Sequence, residues 1–238
     1  GVFLCAGVSV YSNSCICTTE YNCSFADLPK SFDGFRVLQV SDLHNKRFGL
    51  KQQYLLKRIR AAKPDIIVIT GDVIHDKTEI EQIECRLNKV RPFLSGAVEI
   101  SPVYYATGNH EIETGHAQYI WQEVEKCGVK VLVNDSVKLE RNNEHIALIG
   151  AADPFFYGER RAYKPFSEQL KKLCEAEKES FKMLLSHRPE LINVYSECGV
   201  QLVLTGHAHG GQIRIPFTPQ GLYAPDQGVL PKYTQGVH

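Results

Sequence analysis

Five short apolar runs in this chain end abruptly in Asp, Asn or His. FRVLQVS (35–41) runs into Asp42-Leu43-His44, DIIVIT (65–70) into Gly71-Asp72, and PVYYAT (102–107) into Gly108-Asn109-His110-Glu111. FKMLLS (181–186) runs into His187, and VQLVLT (200–205) into Gly206-His207-Ala208-His209. Apolar runs of this length, rich in β-branched and aromatic residues, read as buried strands. Between them lie stretches with helical spacing: 51–62, ended by Lys63-Pro64; 78–94, interrupted near Pro92; 116–127, ended by Gly128; 167–179; and 189–198. VKVLV (129–133), SVKLE (136–140) and HIALIGA (145–151) add three strands, the last two joined by a turn at 142–145. A short QIRIP strand lies in a tail rich in Gly and Pro. Strands alternating with helices, plus a hairpin run, specify an α/β domain of two packed sheets with outer helices. In α/β sheets, ligands gather beyond the carboxyl ends of the strands. The five polar clusters are therefore expected to meet along one edge.

The donor types narrow the chemistry. Asp42, His44, Asp72, Asn109, His187, His207 and His209 are oxygen and nitrogen donors without a thiolate. That set suits Mn, Fe, Zn, Ni or Co rather than Ca or an iron–sulfur cluster. Asp72 has two carboxylate oxygens and can bridge two cations. Asp42, His44 and His209 complete one site; Asn109, His187 and His207 complete the other. Each piece alone has an ordinary structural explanation, such as a capped loop, a Gly-Asp turn or a core histidine. All five together, each at a strand end, do not.

Composition excludes several classes. The 238 residues carry 27 Lys+Arg against 27 Asp+Glu, with 43% hydrophobic residues. A balanced charge gives no footprint for duplex nucleic acid, and the apolar content excludes a disordered chain. The chain opens on Gly1, and Met183 is its only methionine. Its uncharged start, GVFLCAGVSV, is shorter than the ~20 residues that span a bilayer. Residues 1–33 are read as an N-terminal arm, the remnant of a signal or membrane anchor or else an edge segment, and 34–238 as the main domain. Cys5, Cys15, Cys17 and Cys23 crowd the start without a CxxC pair, leaving a disulfide open. Cys85, Cys127, Cys174 and Cys198 are expected to sit as small apolar residues.

Asp42-x-His44, Gly71-Asp72, Gly108-Asn109-His110-Glu111, His187 and Gly206-His207-x-His209 resemble the motif set of the calcineurin-like metallophosphoesterases. SDLHNKRFG, SHRPE, TGHAHGGQIRIPF and GLYAPDQG look like the bacterial YkuE/YaeI-type members, a group similar to hydrolases of UDP-2,3-diacylglucosamine. The resemblance implies a four-layer αββα sandwich, a dinuclear metal centre and hydrolysis of phosphodiester or pyrophosphate bonds. It implies that His110 is the catalytic histidine; Glu111 and Asp76 are the two candidates to orient it. It also implies a further strand and an Arg-Gly loop beyond this tail, so the domain is expected to be incomplete at its C-terminus.

The substrate expected is a membrane or envelope phosphoester, lipid-linked or a UDP-sugar lipid. It would be met by a monomer in peripheral contact with the membrane. His75, Arg160 and Arg161 are candidate substrate contacts; the two arginines follow the apolar stretch 154–158. Two alternatives stand beside this: a soluble, cytoplasmic nucleotide phosphodiesterase, and a non-catalytic metal-binding scaffold.

Overall fold

The computed structural model describes residues 15–75, 80–212, 218 and 220–238. The first ten residues, Cys5, Asp76 and most of the QIRIP segment lie outside them. One sheet is wholly parallel in the order β1 (Val37–Val40), β2 (Ile66–Thr70), β3 (Val103–Ala106), β4 (Lys130–Val131). The second has the order β5 (Asp135–Arg141), β6 (Glu144–Gly150), β7 (Lys182–Leu185), β8 (Leu202–Leu204), with β5 antiparallel to β6 and the rest parallel. Asn142 and Asn143, both at positive φ (49° and 65°), make the β5–β6 turn. Two such residues give the twist that a tight hairpin requires.

Period-two alternation decides what each strand faces. Ile66 and Val68 of β2 pack with Ile146 and Leu148 of β6 and Met183 and Leu185 of β7, between the sheets. Ile67 and Ile69 pack instead under α1 (Gln53–Ala62), α2 (Ile80–Val98) and α4 (Ala117–Lys126), through Leu55, Ile59, Ile83, Leu87, Ile120 and Val124. On the far side Ala147, Ile149 and Leu184 meet Phe166 and Leu170 of α5 (Tyr163–Ala176) and Tyr195 of α6 (Ile192–Glu197). The layers thus run helix, sheet, sheet, helix. Each fully buried Ile or Leu contributes about 1.5–3 kcal/mol.

Several elements differ from expectation. α2 continues through Pro92 to Val98. Pro92 removes only the amide that would reach the Asn88 carbonyl, and the helix runs on because Phe93, Leu94 and Ala97 beyond it are buried. α5 starts at Tyr163 rather than 167 because Pro165 sits in its first turn, where its missing N–H costs nothing. The 189–198 stretch shortens to a 3₁₀ turn (Pro189–Leu191) and α6. A one-turn helix, α3 (Asn109–Glu113), and a hairpin of β9 (Tyr223–Ala224) and β10 (Gly228–Val229) were not anticipated. Phe25, Leu28 and Phe32 of the arm pack into the inter-sheet core. The seven described cysteines are free thiols, and Cys85 is exposed rather than apolar filling.

Candidate metal centre

The loops after β1, β2 and β3 and those after β7 and β8 bring the two sheets' polar ends together. Asp42, His44 and Asn45 donate their amides to the carbonyls of Gly71 (3.1 Å), Asp72 (3.0 Å) and Val73 (3.0 Å), so two loops run on as a paired ribbon. His187 Nδ1 lies 2.7 Å from the Thr70 carbonyl and ties the second sheet to the first. A carbonyl only accepts, so Nδ1 carries a proton and Nε2 turns inward.

Four donor groups lie among the described residues, each with donor atoms within 4.8 Å of one another, and two of them share Asp72: Asp42, His44, Asp72 and His209 form one, and Asp72, His187 and His207 the other. His44, His75 and His110, and Glu190, His207 and Asp226, form the remaining two. Asp72 is fully buried; its Oδ1 accepts from the His110 amide (3.0 Å). Its Oδ2 finds no well-formed hydrogen bond among the described residues, although His187 Nε2 lies 3.1 Å away, His110 Nε2 3.7 Å and His44 Nε2 3.8 Å. His44 Nε2 and His209 Nε2 are 3.3 Å apart, and His187 Nε2 and His207 Nδ1 3.2 Å. Asn109 gives its amide N–H to Glu113 Oε1 (3.1 Å) and leaves its buried Oδ1 without a partner. Buried oxygens that lack a well-formed hydrogen bond, beside clustered imidazole nitrogens, fit a bound cation.

In the metal-free protein the electrostatics describe an Asp72–His187 ion pair, whose proton a bound cation would replace. Burial alone would raise the Asp72 carboxyl; the imidazoles of His187, His110 and His44 outweigh it and hold it well below the usual range. Burial opposes charge on His187, yet Asp72 wins and lifts it to about 10. His44 and His207 fall to about 4, chiefly through burial.

The local backbone is strained for this arrangement. Asp42, His44, Asp72, His207 and His209 all sit at φ between 44° and 66°. Such residues cost about 1–3 kcal/mol each and concentrate where geometry serves chemistry. Two motif glycines are there for space: a Cβ on Gly108 would enter the Asp72 carboxylate, and one on Gly206 would enter Ser41 and Asp42.

His110 stands at the open side, its ring 4.7 Å from that of His44. The exposed His75 ring lies 5.6 Å from His44 and 5.2 Å from His110. Arg160 and Arg161 are on the rim, both paired with Asp226. Glu111 is committed elsewhere than to His110's ring. Its buried carboxylate accepts from the amides of Asp72 (3.0 Å), Gly108 (3.0 Å) and Ile74 (3.3 Å), and burial, then Asp72, pushes it up to about 7. Sequence reading missed Asp153, Arg188 and Asp226. Arg188 and Asp153 are fully buried and joined (Nη2 to Oδ1, 3.0 Å), and Asp226 meets His207 Nε2 at 3.0 Å. The available signal was a charged residue directly following His187, in SHRPE.

Comparison with known proteins defines the class. Residues 35–211 match the calcineurin-like phosphoesterase family, and the chain belongs to it. The family hydrolyses phosphoesters with divalent metals, and the chain is a hydrolase of that class. It is 27% identical to the metallophosphoesterase YkuE of Bacillus subtilis (strain 168), over 93% of this chain and 73% of that protein. It is 26% identical to the phosphodiesterase YaeI of Escherichia coli (strain K12), over 77% of this chain and 63% of that one. It is 28% identical to a transmembrane protein with metallophosphoesterase domain of Danio rerio, over 80% of this chain and 44% of that one. The chain therefore spans between about half and three quarters of these relatives. No helix among the described residues is long and apolar enough to cross a membrane.

Proposed function

We propose that the chain hydrolyses phosphodiester or pyrophosphate bonds at a dinuclear metal centre, on an amphiphilic substrate of the membrane or cell envelope. The observation that carries the centre is Asp72, shared by two donor groups with one buried oxygen left unpartnered. Asp42, His44 and His209 would hold one metal and Asn109, His187 and His207 the other, with Asp72 between them. Bound there, two metals supply an activated water and neutralise charge on the phosphoryl oxygens.

The chain's own residues do the rest. His187 presents Nε2 because Nδ1 is committed to the Thr70 carbonyl. Asn109 presents Oδ1 because Glu113 holds its N–H. His110 is set by its amide bond to Asp72 and is partly exposed, so its ring can reach substrate. It donates a proton to the leaving oxygen or a hydrogen bond to the phosphoryl group.

The amphiphilic substrate rests on the surface beside the centre. A cavity of about 570 Å³ is lined by Arg160, Arg161, Tyr223 and Asp226 among others. Phe156, Leu222, Tyr223, Val229 and Leu230 are exposed. Guanidinium groups beside apolar side chains suit a phosphate carried on a lipid. Hydrolysis of bis-p-nitrophenyl phosphate should require added Mn²⁺ or another transition metal and vanish on chelation. Full turnover in metal-free protein would sink the centre. An amphiphilic phosphodiester should then show a higher kcat/KM than its short-chain analogue; equal or lower efficiency would favour a soluble nucleotide substrate.

A further inference from the structure

His207 is gripped from behind by residues that the hydrolytic reading leaves without a task. Its Nδ1 lies 3.2 Å from His187 Nε2, within the donor group that contains Asp72. Its Nε2 lies 3.0 Å from Asp226 Oδ2 and 3.1 Å from Arg188 Nη1. A carboxylate only accepts and a guanidinium only donates, so Nε2 cannot serve both. Arg188 Nη1 already donates to the same Asp226 oxygen. A proton on Nε2, given to Asp226, satisfies His207, while Arg188 Nη1 is satisfied by Asp226 and makes no bond to the imidazole. The opposite tautomer could accept from Arg188, but it would set a lone pair 3.0 Å from the Asp226 carboxylate oxygen and put a proton on the nitrogen that faces the donor group.

Asp226 is built into place. It occupies the tip of the β9–β10 hairpin at φ 57°. Gln227 braces that tip by donating to the Tyr233 carbonyl (2.7 Å) and accepting from its amide (2.9 Å). Gly221, two residues before β9, and Gly211, two residues after His209, pack backbone to backbone so closely that neither has room for a Cβ. Arg188 is held on its other edge by Asp153. Arg160 bridges Asp226 (3.2 Å) and Glu113 (3.5 Å), the latter being the partner of Asn109.

We propose that Asp226 is the positioning residue of His207, holding its proton on Nε2 so that Nδ1 is offered as a metal ligand. The tail hairpin thereby completes one of the two metal positions. The inference rests on the dinuclear reading above. A histidine whose far nitrogen donates to a carboxylate is a stronger and better oriented ligand, and loss of such a partner weakens metal binding by about 10–100-fold.

The test uses the full chain, its Asp226→Asn and Asp226→Ala variants, and His209→Ala as the control for the other position. Mn²⁺ alone is titrated into metal-free protein and counted after dialysis. The tautomer of His207 is read from imidazole ¹⁵N shifts without metal. Asp226→Asn is isosteric and keeps the test open if Asp226→Ala does not fold. The expected result is two Mn²⁺ in the parent, and in Asp226→Asn one position at parental affinity with the other about 10–100-fold weaker. In the parent His207 is protonated on Nε2, and the variant shows a mixture. Parental affinity at both positions in Asp226→Asn would overturn the proposal. So would a Nδ1–H tautomer in the parent. Equal weakening at both positions would also overturn it, since that marks a merely structural role through Arg188. A parent that binds no Mn²⁺ refutes the dinuclear reading instead, and the ¹⁵N shifts still decide what Asp226 does to His207.

Discussion

Replacing Glu111 with alanine tests whether Asp72 is held by a buried carboxylate or by its loop alone. Glu111 accepts from three backbone amides, those of Asp72, Gly108 and Ile74. A buried N–H left without a partner costs about 1–3 kcal/mol, so the gross loss in Glu111→Ala is roughly 3–9 kcal/mol. Against it stands the cost of burying an ionised carboxylate. Burial and then Asp72 raise the Glu111 pKa from 4.5 to about 7. A group raised on folding contributes stability that is fully present below its unfolded value and is lost as pH rises through its folded value. At pH 8 Glu111 is ionised and offsets about 3 kcal/mol of its own bonding, leaving a net destabilisation of roughly 0–6 kcal/mol in the variant. Between pH 8 and pH 5 the parent regains about 2.5 kcal/mol that the alanine variant cannot. Urea unfolding of the metal-free proteins at both pH values measures the difference. The penalty should grow on acidification, and the variant should retain less metal because Asp72 loses its backbone anchor. A penalty that is unchanged or smaller at pH 5 than at pH 8 refutes the assignment.

Asp72→Asn should lose more than about 100-fold in affinity at both metal positions, whereas His209→Ala should lose one; metal counts after dialysis distinguish them. His110→Ala should keep both metals and lose about 10²–10⁴ in kcat, and a loss that shrinks with an acidic leaving group identifies it as the proton donor. Gly108→Ala should cost about 1–3 kcal/mol in thermal or urea unfolding and release metal, because the new methyl displaces the Asp72 carboxylate. Parent-like metal retention in that variant would contradict the close approach.

The layers could be read from the apolar pattern because burial acts on each strand locally. Residues 66–69 alternate between two cores, yet the sequence is an unbroken apolar run, so the run announces a strand without saying which side faces which. The polar residues at the strand ends were conspicuous for the same reason: buried strands seldom stop in Asp or His without a task. α3 was hidden because one helical turn has no periodicity to detect. α2 outran its proline because Phe93, Leu94 and Ala97 bury completely beyond it. The β9–β10 hairpin has strands of two residues, too short for alternation to show.

Donor residues declare themselves by type, whereas the residues that aim them do so only by distance. Asp72, His187 and His207 are suspicious in any strand-end loop, but Glu111, Arg188 and Asp226 resemble ordinary surface charges until the chain is folded. Glu111 then holds the amide of Asp72, Arg188 lies buried between Asp153 and Asp226, and Asp226 reaches His207 from 19 positions away. Each acts through backbone or through a second side chain, so no spacing rule contains it. The strain is distributed in the same way. Five of the seven donors sit at positive φ without being glycine, a cost the surrounding bonds must offset. The amide ribbon between the Asp42 and Asp72 loops supplies part of that offset, Glu111 another, and the His187–Thr70 link across the sheets a third. A bound cation would supply the remaining contribution, because Asp72 Oδ2 and Asn109 Oδ1 lack a well-formed hydrogen bond among the described residues.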